Sequence, residues 1–372
     1  MSQKHASVTP AMLERARSRI GRTWKPAEPW FNTIACKDAI RHFCNGTGDR
    51  NPLYRDENYA KKTRWGRLVA PPCFLYSIYW PFGQGGMMPG IHAWGSGNTW
   101  EWYRPVYEGD SFTFEVTLLS VEEKKSRMAG QTFISTDEAI FKNQDGEVVA
   151  KAIGWSVLAE RAAAGRGGKY KDIQRAQYTP EQLKKIYDDI EREEIRGANP
   201  RYWEDVNVGD ELTPVVKGPL SPRDNIAFLM GTGSIYIRYA NEVFYEYQKR
   251  HPAIGMMDSK TGIIDVPELV HMEHTRAGEV GVTGAYDYAP QRICWLGNLL
   301  TNWMGDDGFL RKMHADLRAF NLVGDTTWLK GRVVKKYIET GEHLVDIDCR
   351  AEDQRGRTTM YGMASVLLPS RV

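Results

Sequence analysis

Alternation of apolar and polar side chains, the period-2 signature of a strand with one buried face, appears twice in this chain in the same setting. Tyr103–Val116 (YRPVYEGDSFTFEV) and Phe320–Val333 (FNLVGDTTWLKGRV) each run from an aromatic residue through a Gly-Asp turn into a long alternating strand. Gly109-Asp110 and Gly324-Asp325 stand 215 residues apart. Each copy continues through a second strand and a polar turn, Asn143–Gly146 or Asp353–Gly356, to a last strand, Val148–Leu158 or Thr358–Leu368. A further Gly-Asp, Gly209-Asp210, opens the second half after Trp203. Strands separated by such turns pair antiparallel.

Helical spacing marks shorter elements. Thr9 and Pro10 make an N-cap and first position for a helix carrying Met12, Leu13, Ala16 and Ile20. Lys37–Asn45 places Ala39, Ile40, Phe43 and Cys44 on one face and stops at Gly46-Thr47-Gly48. Ser221-Pro222 starts a second helix, with Ile226, Leu229 and Met230 expected inward, that stops at Gly231-Thr232-Gly233. The offset between these tripeptides is about 30 residues shorter than the strand offset, so the second half carries an insertion between its Gly-Thr-Gly and its Gly-Asp strand. Arg161–Lys169 (RAAAGRGGK) reads as a boundary, and Thr179–Glu194 as a charged crossover helix. The expected division is residues 1–160, a linker over 161–200, and 201–372.

A chain of 372 residues suits two such domains. A net charge of +2, from 49 basic and 47 acidic residues, gives no electrostatic footprint for nucleic acid or an anionic membrane. No apolar run approaches the roughly 20 residues of a membrane helix, and the N-terminus lacks the apolar segment of a secretory signal. Cys36, Cys44, Cys73, Cys294 and Cys349 are scattered without a C-x-x-C pair, which fits reduced thiols in a cytoplasmic protein. The 12 tryptophans fit either core filling or the wall of a large apolar ligand site.

Between helix and strands the first half reads Gly48-Asp49-Arg50-Asn51-Pro52-Leu53-Tyr54-Arg55-Asp56, then Tyr59-Ala60 and Val69-Ala70-Pro71-Pro72. This resembles the MaoC-like hydratase/dehydratase signature, G-D-x-N-P-[IL]-H-x-D, in the dehydratase N-terminal variant with tyrosine for histidine. In the second half His271, Glu273, Ala277 and Gly281 fall on the family spacing H-x-D-x-x-x-A-x-x-x-G. Tyr54 and His271 are in step with the strand repeat, which puts the insertion at about residues 234–266. The resemblance spans about residues 30–160 and 200–370. It implies an α+β fold of two tandem hot-dog domains, each a curved antiparallel sheet around a central helix, with Phe74–Phe82 and Arg292–Trp303 as the candidate helices. It also implies an acyl-CoA thioester between the two sheets, no cofactor, and a homodimer as candidate assembly.

Hydration of an enoyl thioester needs a base for water, an acid for the α carbon and a donor for the enolate oxygen. The family supplies an Asp and a His five residues apart, with a backbone N–H at the start of the central helix. Neither half holds the full pair: Asp49 is followed by Tyr54, and His271 is preceded by Ser234 where the Asp would stand. Asp265 is the favoured partner for His271, with Glu268 second; a pairing of Asp49 with His271 across the halves is disfavoured by the repeat. Asp49, Asn51 and Tyr54 are expected to bind substrate, as are Gly284 and Tyr286. The backbone of Asp287–Pro290 is the candidate oxyanion donor. His271 and His274 alone do not make a metal site.

The implied activity is a hydratase/dehydratase interconverting 2-enoyl-CoA and 3-hydroxyacyl-CoA. The incomplete pair leaves open a weakly active or non-catalytic acyl-thioester-binding subunit. A thioesterase on the same fold is a further alternative, disfavoured because the candidate helices carry no acidic residue. Tyr236, Tyr239, Phe244, Tyr245 and Tyr247 in the insertion point to a wide aromatic pocket and a bulky acyl group.

Overall fold

The computed structural model describes residues 6–26, 29–126, 130–161, 163, 173–258 and 260–372. Its strands are β1 (Thr23–Trp24), β2 (His92–Trp102), β3 (Thr113–Ser126), β4 (Gly130–Lys142), β5 (Val148–Ala159), β6 (Val215–Lys217), β7 (Met256–Met257), β8 (Ile264–Asp265), β9 (Phe309–Leu317), β10 (Thr327–Glu339), β11 (Glu342–Asp353) and β12 (Thr358–Leu367). All but the small β7–β8 hairpin lie in one antiparallel sheet, ordered β1-β3-β4-β5-β2-β9-β12-β11-β10-β6. The two groups of strands thus occupy opposite halves and meet at β2 and β9.

At the centre of that seam Thr99 pairs with His314, the hydroxyl 2.9 Å from the ring Nδ1. These residues are separated by 215 positions, the offset of the strand repeat. When antiparallel strands pair a residue with its own repeat-mate, a local twofold axis passes between them. The internal repeat is therefore a structural dyad, and the fold is the double hot-dog that the sequence implies.

The helices are α1 (Pro10–Arg17), α2 (Lys37–Thr47), α3 (Glu57–Ala60), α4 (Pro180–Glu191), α5 (Pro222–Thr232), α6 (Asn241–Arg250), α7 (His274–Glu279) and α8 (Ala289–Met304). α8 is the central helix of the second half, buried from Pro290 to Met304. The first half departs from expectation. In place of a long helix over Phe74–Phe82 it has a six-residue 3-10 stretch, Pro72–Ser77. Pro81 explains the difference, because it disfavours helical geometry at Trp80 and leaves little room after Pro72. The short element is held by Trp100 and Trp102, stacked at 5.6 Å, whose indoles donate to the Tyr76 hydroxyl and the Pro72 carbonyl. These two tryptophans are core, as are Trp295 and Trp303 of α8.

α2 and α5 cross at their terminal glycines. A Cβ on Gly46 would sit 2.5 Å from the Ala227 carbonyl oxygen, and one on Gly231 would sit 2.6 Å from that of His42. Because α5 turns Phe228 and Gly231 toward α2 and the core, Ile226 and Met230 point to solvent, contrary to the inward placement expected for them. Gly83–Gly86 packs on β4: Gly85 N–H donates to Asp137 at 2.8 Å and Gly86 lies against Ser135. Of the boundary predicted over Arg161–Lys169, only Arg161 and Ala163 are among the described residues.

Candidate active site

A cavity of about 330 Å³ is built from both halves. The start of β2 and Trp80 form one wall. The N-terminus of α8, the 3-10 turn Pro267–His271 and Ile235–Tyr236 of the insertion form the other. Trp94 and Phe320 complete an aromatic lining.

His271 ends the 3-10 turn. Its Nδ1 lies 2.9 Å from the Tyr286 carbonyl oxygen, an acceptor only, so Nδ1 carries the hydrogen and Nε2 is left with a free lone pair. The ring stacks on Tyr288 at 3.8 Å and meets Tyr286 edge-on at 4.6 Å. Burial lowers its pKa to about 4, so the ring is neutral at pH 7. Asn225 of α5 donates to the carbonyls of both His271 and Tyr286, fixing the two segments against each other.

Glu268 stands three residues before His271 in the same turn. A 3-10 helix has three residues per turn, so these side chains share a face, and both line the cavity. One carboxylate oxygen accepts from Ser234 Oγ at 2.6 Å and from the Tyr236 N–H at 2.9 Å. The other, Oε1, is buried. The Tyr288 hydroxyl lies beside the carboxylate and interacts with it. Burial pushes the Glu268 pKa above the usual carboxylate range, despite the opposing hydrogen bonds.

Asp265 is placed elsewhere. It lies on β8, its carboxylate accepts from the Val266 N–H at 2.7 Å, and it does not line the cavity. Glu268, the second choice from sequence, is the carboxylate beside His271. Its anchor, Ser234, follows Gly231-Thr232-Gly233 where Asp49 follows Gly46-Thr47-Gly48. The carboxylate has thus moved from one arm of the site to the other. Tyr286 lines the cavity, whereas Gly284 faces His274, whose Nδ1 would lie 3.0 Å from an added Cβ.

The first-half residues are not brought to this cavity. Asp49 is buried and accepts from the Asn51 N–H at 2.9 Å, while Asn51 accepts from the Leu53 N–H at 3.0 Å. Lys217 of β6 reaches over them, donating to the Gly48 carbonyl at 3.1 Å and to Asn298 of α8 at 2.9 Å. Tyr54 borders only a small void of about 30 Å³, about the room one water takes. The pseudo-equivalent site is filled.

Two further cavity residues escaped the sequence reading. His92 at the start of β2 is buried against Trp94, with a pKa lowered by burial to about 3. Arg161, which sequence assigns only to a basic boundary, is 6% exposed and lines the cavity. Neither sits in a motif; the signal for His92 was its place in a tryptophan-rich alternating strand. Asp287 also borders the cavity, but Arg292 grips it (Nε to Oδ2, 2.7 Å) and Asn321 donates to it, so it is a structural ion pair. At the head of α8, Ala289 opens the helix and lines the cavity, and Pro290 has no N–H, which makes the Ala289 amide the candidate donor there. No three His, Cys, Asp or Glu side chains converge as a metal site among the described residues.

Comparison with known proteins matches this architecture. Residues 20–152 fit a family described as FAS1-like, dehydratase domain region, which is the half whose site is filled. A UPF0336 protein of Streptomyces avermitilis is 28% identical over 153 residues, covering 40% of this chain and 95% of the relative. A UPF0336 protein of Parafrankia sp. is 32% identical over 136 residues, or 84% of its length. A solved MaoC-like dehydratase superposes with a TM-score of 0.66 at 17% identity over 95% of this chain and 99% of the other. A conserved hypothetical protein of Mycobacterium tuberculosis, described as a double hotdog fold, gives 0.57 at 11% identity over 94% and 96%. Through its first half, which fits the FAS1-like dehydratase domain region, the chain belongs with the UPF0336 proteins, and as a whole it has the double hot-dog fold of solved MaoC-like dehydratases.

Proposed function

We propose that the protein hydrates a 2-enoyl-CoA to a 3-hydroxyacyl-CoA, and catalyses the reverse dehydration, at the second-half site alone. The observation that carries this reading is the shared face of Glu268 and His271 beside the N-terminus of α8. His271 Nε2 takes a proton from water as its oxygen bonds to C3. Glu268 gives a proton to C2, a role that burial supports by favouring its protonated form. The Ala289 N–H holds the thioester oxygen as it gains enolate charge, helped by the partial positive charge of the helix end. Dehydration runs the same transfers backward.

The hot-dog halves are taken as residues 1–160 and 201–372, joined by 161–200. Of the insertion aromatics, Tyr236 lines the cavity; Tyr239 packs on Tyr247 and Tyr245 is exposed. With Trp80, Phe82 and Trp94, the lining suits a bulky acyl group. Loss of enone absorbance across a panel of enoyl-CoA thioesters tests the reading: kcat/KM is expected to rise from crotonyl-CoA to branched or ring-bearing acyl groups. No hydration of any member would favour the binding-subunit alternative, and release of free CoA would favour the thioesterase.

A further inference from the structure

Among the described residues Arg161 is a buried cation without a counter-ion of its own. There its guanidinium makes one hydrogen bond, from Nη1 to the Gly255 carbonyl at 3.2 Å, and its Nε is buried without a partner. No carboxylate lies within ion-pair distance of it among the described residues. Glu279, whose charge bears on it, stands 3.9 Å from Arg276 instead. An arginine this deeply buried is ordinarily paired, because desolvating the charge is costly unless an anion compensates it. Arg161 lines the cavity, as does Tyr236 of the insertion nearby.

We infer that Arg161 binds an anionic oxygen group of the substrate, a carboxylate borne on the acyl part of the thioester. The planar guanidinium matches a carboxylate with two parallel hydrogen bonds. The cavity then recognises its ligand at two points: reacting carbons between His271 and Glu268, and a charged terminus at Arg161 among aromatic walls. This inference rests on the proposed acyl-thioester site.

The test compares 2-enoyl thioesters ending in a carboxylate with their neutral methyl esters, each on CoA and on phosphate-free pantetheine. The wild-type chain should prefer the carboxylate on both carriers. Arg161→Met should lower the carboxylate-over-ester ratio of kcat/KM by about 100-fold, the scale for removing one partner of a buried charge pair, and Arg161→Lys should restore part of it. A wild-type chain with no carboxylate preference would overturn the inference. So would a loss confined to the CoA series, which would assign Arg161 to the CoA phosphates, or an equal loss on all four substrates, which would make it structural. Calorimetry with a saturated acyl-CoA ending in a carboxylate, against its methyl ester, reads the same preference without turnover. Carboxylate-dependent binding with no hydration would sink the hydratase reading and leave Arg161 assigned; hydration without preference would do the reverse.

Discussion

His271 owes its tautomer to a carbonyl oxygen and its neutral form to burial. The Tyr286 carbonyl fixes the tautomer, and the low-dielectric surroundings keep the ring neutral. His271→Ala should fold and lose at least about 100-fold in kcat, the usual scale for a general base. Glu268→Gln should lose as much, while Asp265→Asn should leave turnover near wild type; steady-state hydration rates check all three. Burial of His271 and His92 also has a thermodynamic signature. Their pKa values fall from 6.5 unfolded to about 4 and about 3 in the folded chain, so between these limits the unfolded state binds protons that the folded state does not. Stability should therefore be fully present above pH 6.5 and decline on acidification, by about 1.4 kcal/mol per pH unit for each histidine within its window. Denaturant midpoints at pH 7 and pH 5 measure this, and His92→Gln should flatten the slope.

At the scale of elements, the paired Gly-Thr-Gly tripeptides are contacts between helices. Gly46→Ala and Gly231→Ala each drive a methyl group into the backbone of the facing helix and should destabilise by about 1–3 kcal/mol; thermal melts with retained helical circular dichroism check this. The tripeptides, the Gly-Asp turns and the alternation of β3, β5, β10 and β12 were all legible, because each is a local rule of turn or period. α8 was reached through the family resemblance, which pointed to Arg292–Trp303 as the central helix. What escaped was set by tertiary contact. Ile226 and Met230 look like a buried face until the glycine beside them proves to be the packing surface. The choice of Glu268 over Asp265 depends on a 3-10 turn and on a hydrogen bond to Ser234, which is 34 residues away across the insertion. Linear spacing carries neither.

Over the whole molecule, the dyad at Thr99 and His314 relates one open site to a small void bordered by Tyr54, Trp102 and Met304. Asp49→Asn and Tyr54→Phe should consequently lower thermal stability and leave kcat and KM near wild type, contrary to the substrate-binding role that their motif implies; melts and hydration kinetics on the same preparations separate the two effects. A dyad that joins two separate identical chains obliges both sites to carry the same side chains, so neither can be given up. Joining the copies in one chain removes that obligation, and the two halves here have diverged. Counted by titration, the chain should take up one equivalent of ligand for its two hot-dogs, with a single affinity and no second step at higher concentration.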